Sequence, residues 1–292
     1  MNYKEILTIA SNEVLNLKNR IVNVIDLIKP ADVDYAIQIS RIISKLSPLI
    51  GNMLEMATVN ALNTVKWENN SKWKRQDPGF PDAIYDDPSM EIKPGIEIKA
   101  WFPFATEITA RFKDSVNMFN NENINVALIA WIPENILWGK PVILECIVIT
   151  GKSISEARDK HYHNPPKYLV FEPEDTTNRA ANLQQTNTNG YVFQTDKSNL
   201  EEAKIKMNEL GIEPNYSPSL DYQRKLYELR GSFFYRLDTN FAKIDRIEHP
   251  GIVEFKTRVM NILYKGKKIS EWMNIVNSSD PDINSFVEII NL

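Results

Sequence analysis

Apolar and polar positions follow two rhythms along this chain, one helical and one extended. The first 66 residues carry the helical one. Asp32 or Asp34 is placed to cap a helix through Ile37, Ile42, Ile43 and Leu46, and Ser47-Pro48 reads as a fresh start, serine at the cap and proline at the first helical position. The helix that follows holds Leu49, Ile50, Met53, Ala57 and Ala61 at i, i+3, i+4 spacing. A polar, turn-rich stretch runs from Glu68 to Gly79. Beyond it the pattern shortens to the period of strands. Asp82–Tyr85 and Gly95–Phe102 are set to pair as a hairpin across Asp87-Pro88-Ser89, and Val126–Ile132 and Val142–Thr150 are apolar, β-branched runs suited to buried strands. Helices are predicted over Glu107–Phe119 and Ser153–His161, and short strands over Tyr168–Phe171 and Tyr191–Phe193. Helical periodicity returns in Leu200–Leu210, Tyr222–Arg230, Val253–Tyr264 and Ile283–Leu292.

This order of helices, mixed sheet and helices predicts an α/β protein: a mixed sheet flanked by helices, with a helical C-terminal part. Residues 1–196 are expected to form the core with its N-terminal helices. Residues 197–292 are expected to form a helical subdomain available for dimerisation or DNA contact.

Composition adds boundaries. With 292 residues, 43% of them hydrophobic and 25% charged, the chain is long and apolar enough for a sizeable core. No apolar run approaches the roughly 20 residues of a membrane span, and no basic stretch leads into an apolar one as in a signal peptide. The single cysteine, Cys146, sits in an apolar run and reads as a core residue; one thiol forms no internal disulfide, which suits a reducing cytoplasm. The net charge of −4 decides little, because a protein that grips phosphates with local cations and a metal with local carboxylates cancels the two in its total.

The chemistry concentrates in Phe80-Pro81-Asp82-Ala83-Ile84-Tyr85 and Gly95-Ile96-Glu97-Ile98-Lys99-Ala100-Trp101. Strand alternation turns Glu97 and Lys99 to one face and Ile96, Ile98 and Ala100 to the other. A turn centred between Ser89 and Met90 sets Asp82 opposite Glu97, where cross-strand Cβ atoms lie about 5 Å apart. Carboxylates so close repel unless a cation lies between them. Oxygen ligands with open positions suit Mg²⁺, and the Ile98 carbonyl is a candidate further ligand. Lys99 is then placed to orient a water or hold a phosphate during phosphodiester hydrolysis. A competing copy, Glu91-Ile92-Lys93, is cut short by Pro94-Gly95.

Pro81-Asp82, a spacer, then Glu97-Ile98-Lys99 resembles the signature of the PD-(D/E)XK nuclease superfamily, and within it the chain looks most like a type II restriction endonuclease in size and upstream helices. The motif covers only about Phe80–Trp101. The resemblance implies a restriction-endonuclease-like core, Mg²⁺ as cofactor, and cleavage of double-stranded DNA to 5′-phosphate and 3′-hydroxyl ends, usually by a homodimer. It also implies a further carboxylate on the helix before the motif, for which Glu55 is the candidate; Glu55 lies on the flank of its helix's apolar stripe, where it reaches either solvent or the site. A cognate DNA methyltransferase is expected in the same system, not as a bound subunit.

Two segments are candidates for DNA contact. Lys72-Trp73-Lys74-Arg75 is basic and aromatic, with Lys72, Lys74 and Arg75 able to grip phosphates. The amide-rich stretch 178–189 contains Arg179, Asn182, Gln184, Gln185 and Asn187, side chains that read guanine and adenine edges. Either segment is also an ordinary solvated loop in composition. Asp86 and Asp87 read as turn residues, His161 and His163 lack a third soft ligand for zinc, and His249 reads as a loop residue. The expectation is a sequence-specific Mg²⁺-dependent endonuclease. Its alternatives are a structure-specific repair or recombination nuclease and a non-catalytic α/β binding domain.

Overall fold

In the computed structural model, residues 1–77, 79–105, 119, 121–160, 169–173, 191–194, 197–212, 219–232, 235–237 and 244–292 are described. The chain forms two compact units: residues 1–110, 119–152 and 249–292 make the first, and residues 111–118 and 153–248 the second. The units are not divided at residue 196, because the last helices return to the N-terminal ones: α8 (Ile269–Val276) and α9 (Ile283–Ile290) pack on α2 (Val33–Ile42), and α7 (Pro250–Asn261) on β5 (Pro141–Thr150).

The first unit is built on a five-stranded mixed sheet in the order β1 (Lys72–Arg75), β2 (Ala83–Asp86), β3 (Gly95–Trp101), β4 (Ile124–Pro133), β5. Only β3 and β4 run parallel; the other neighbours are antiparallel. The largely apolar runs of β4 and β5 are covered on both faces: Val126, Ile129, Trp131 and Ile132 are fully buried, Cys146 is buried with them, and the one acid among them, Glu145, is paired with Lys18 at 2.6 Å. Helix α1 (Tyr3–Leu15) packs on β4 and β5, and α3 (Ser47–Leu62) on β1 and β3. The architecture is therefore the expected α/β one, a mixed sheet flanked by helices with a helical C-terminal part.

Local chemistry explains the helix starts. Asn2 and Glu5 form a reciprocal capping box on α1, and Asp32 accepts the Tyr35 amide at 2.8 Å to cap α2. Ser47 is not a cap. A 3₁₀ turn over Ile43–Leu46 runs straight into α3, so Ser47 already has helical dihedrals and Pro48 occupies the first turn, where its missing N–H costs nothing. Of the expected stripe, Ile50 and Ala61 are buried, Met53 and Ala57 are half-buried and Leu49 is exposed, because the buried face of α3 runs through Ile50, Leu54, Thr58 and Ala61. Thr58 is tolerated there because its hydroxyl donates to the Leu54 carbonyl at 2.7 Å. His249 caps α7, its Nδ1 accepting from the Gly251 amide at 3.1 Å.

Strand β1 is an element that the pattern of polar residues hid. It lies at the sheet edge with Trp73 turned inward against Tyr85 and Trp67, while Lys72 and Lys74 face solvent. The hairpin β9 (Leu263–Tyr264) and β10 (Lys267–Lys268) and helix α8 likewise subdivide the C-terminal stretch.

The second unit holds most of α4 (Gly151–Lys160), a small sheet in the order β7 (Tyr191–Gln194), β6 (Leu169–Pro173), β8 (Tyr235–Leu237), and the helices α5 (Lys197–Glu209) and α6 (Leu220–Gly231). The pairing is antiparallel between β6 and β7 and parallel between β6 and β8. The helix expected over Glu107–Phe119, apart from Phe119 itself, the amide-rich stretch 178–189, and His161 and His163 lie outside the described residues.

Candidate active site

The site grows from the pairing of β2 with β3. Ala83 faces Ile96 and Ile84 faces Gly95, and the register continues past the end of β2 to set Asp82 opposite Glu97. Gly95 makes this approach possible. A Cβ on it would lie 2.3 Å from Pro81 Cγ, so only glycine lets Pro81, and Asp82 after it, lie against the start of β3. The competing Glu91-Ile92-Lys93 is outside any strand; Glu91 is exposed, and Lys93 lies 3.8 Å from Asp86.

Each carboxylate is held by the backbone of the opposite strand. The Ile98 amide donates to Asp82 Oδ2 at 2.7 Å, and the Asp82 amide donates to Glu97 Oε2 at 3.1 Å. Residues on a strand send N–H and C=O toward the same neighbour. The Ile98 carbonyl is therefore directed to the side on which β2 has already ended. Lys99 Nζ pairs with Glu97 Oε1 and lies 3.9 Å from Asp82 Oδ2. Its ammonium thus stands where repulsion between the two carboxylates calls for a cation.

Helix α3 brings in Glu55. Its side chain is 17% exposed, and Arg75, at the end of β1, donates to its Oε2 through Nε at 3.0 Å and Nη2 at 2.9 Å. Burial raises the Glu55 pKa above the ordinary carboxylate value and the charge of Asp82 raises it further, while Arg75 and Lys99 draw it back down. Glu55 is thus turned inward from solvent, and the charges of Asp82 and Lys99 act on it. Arg75 Nη1 also reaches Asp77 Oδ2 at 2.9 Å, and Nη2 reaches Asn52 Oδ1 at 3.3 Å.

The donor set has the chemistry of a hard-cation site: oxygen ligands, negative charge and a flanking carbonyl. Among the described residues no group of three or more His, Cys, Asp or Glu side chains is arranged to hold a metal ion. An ion held by Asp82 and Glu97 would therefore have to take its other positions from water and substrate, and would compete with Lys99 for Glu97 Oε1. Access is narrow: Glu97 is 6% exposed, and the Asp82 and Lys99 side chains 17% and 16%.

The basic cluster is engaged with acids. Lys74 pairs with Asp86, Arg75 pairs with Glu55 and Asp77, and Lys72 is exposed. Asp86 ends β2 and is not a turn residue. Asp87 does hold the turn, accepting from the Ser89 amide and hydroxyl. Arg179, Asn182, Gln184, Gln185 and Asn187 lie outside the described residues. Asn52, Asp77 and Gly95 escape a reading of the sequence; the only local signal is the spacing of Asn52 and Glu55, one helical turn apart.

No family model matches the chain, and no curated protein or solved structure is significantly similar to it. The likeness to PD-(D/E)XK nucleases rests on the motif alone. Among the described residues no helix is long and apolar enough to cross a membrane.

Proposed function

We propose that this protein is a Mg²⁺-dependent endonuclease that hydrolyses phosphodiester bonds of duplex DNA at a specific sequence, in the manner of type II restriction enzymes. The observation that carries the reading is the β2–β3 register, which converges Asp82 and Glu97 with Lys99 beside them. Asp82, Glu97 and the Ile98 carbonyl would hold the ion. Bound there, Mg²⁺ supplies a water of lowered pKa and a polarised phosphate oxygen. Lys99 would leave Glu97 as the ion arrives, and its ammonium would then orient the attacking water and offset charge building on the scissile phosphate. Glu55 would hold a water on the α3 side. Homodimerisation, a cytoplasmic location and a cognate methyltransferase protecting host sites belong to the same proposal.

A second reading is favoured by one feature: the site is internally neutralised, Lys99 on Glu97 and Arg75 on Glu55. A non-catalytic α/β binding domain would keep such pairs permanently. The experiment that separates the two is incubation of the full chain with mixed-sequence duplex DNA and Mg²⁺, beside Asp82→Ala and Lys99→Ala. Discrete fragments from the native protein and none from either variant support the nuclease. No cutting across a wide panel of DNA supports the binding domain.

A further inference from the structure

Arg75 reads from sequence as a phosphate contact, and in the structure its guanidinium is paired with acids. It forks across β1 and α3 with Glu55 on one side and Asp77 on the other, and Asn52 completes the set. Both of its bonds to Glu55 go to a single oxygen, Oε2. Among the described residues Glu55 Oε1 accepts no hydrogen bond. A guanidinium that ties down one carboxylate oxygen and leaves the other open fixes the rotamer of an acid without consuming it. Lysine cannot do the same, since its ammonium is a point charge without the planar fork.

We propose that Arg75 is a positioning residue of the acidic site, holding Glu55 so that its second oxygen accepts from a water of the ion bound by Asp82 and Glu97. The inference rests on the nuclease reading. It adds that the metal affinity of the free protein depends on a residue that does not touch the metal. Loss of such an outer partner weakens metal binding about 10- to 100-fold.

The test is Mn²⁺ binding to the full chain without DNA, read by electron paramagnetic resonance, for the native protein, Arg75→Ala, Arg75→Lys, Glu55→Gln and Asp82→Ala. Native tryptophan emission checks that each variant is folded. Arg75→Ala and Arg75→Lys are expected to raise the Mn²⁺ dissociation constant about tenfold or more, and Arg75→Ala to add nothing once Glu55→Gln is present. Should Arg75→Ala not fold, the comparison of Arg75→Lys with Glu55→Gln tests the same dependence. If Asp82→Ala abolishes binding while both Arg75 variants bind Mn²⁺ as the native protein does, the positioning role is refuted, and a fall in the salt dependence of DNA binding would return Arg75 to phosphate contact. If Asp82→Ala binds Mn²⁺ as well as the native protein, the nuclease reading fails and the inference with it.

Discussion

Gly95→Ala probes the close approach on which the site depends. The added methyl would lie 2.3 Å from Pro81 Cγ and 3.3 Å from its Cβ. Carbon atoms rest at about 3.5–4.0 Å, so the ring or the strand must move by roughly 1 Å. Pro81 is itself buried, which closes the easy direction of escape. Overpacking of this kind costs about 1–3 kcal/mol. The same displacement falls on Asp82, the next residue, whose 2.7 Å bond from the Ile98 amide fails once stretched by about 1 Å. Urea unfolding followed by tryptophan emission is the direct assay, because all six tryptophans belong to the first unit. The variant should lose about 1–3 kcal/mol and also Mn²⁺ binding. A Gly95→Ala protein with native stability and native metal affinity would refute the claim that this contact sets the Asp82–Glu97 register.

Other tests address separate parts of the molecule. Asp87 has its pKa lowered, first by the Ser89 hydroxyl and then by the Ser89 amide. The stability it contributes is therefore present above the ordinary value of 3.8 and lost as pH falls through the lowered one. Asp87→Asn should unfold at lower urea than the native chain at pH 7, with the gap closing as pH falls below 3.8; a gap that persists in strong acid would count against the Asp87–Ser89 turn. Burial pushes the Cys146 thiol up to about 12, leaving roughly one part in ten thousand as thiolate at pH 8. A thiol reagent should label it only after denaturant is added, and rapid labelling of the native protein would contradict its burial in β5. Asp82→Ala and Lys99→Ala should each abolish DNA cleavage while keeping native tryptophan emission.

Much of this protein follows from the order of residue types alone. The largely apolar runs of β4 and β5 announce buried strands, because a strand without regular polar alternation has no face to give to water. The pairing of Asp82 with Glu97 follows from a turn centre and the period of two, since register in a hairpin is a local property. Strand β1 stayed hidden because three of its four residues are basic, and only its place at the sheet edge makes that tolerable. The orientation of Glu55 was open until Arg75 arrived from twenty residues away to neutralise it. The return of residues 249–292 to the first unit was equally closed to inspection. Local pattern determines an element and its pairing with the next. Which distant side chains meet depends on the packing of whole elements, where the energy of each contact is spread over residues far apart in the chain.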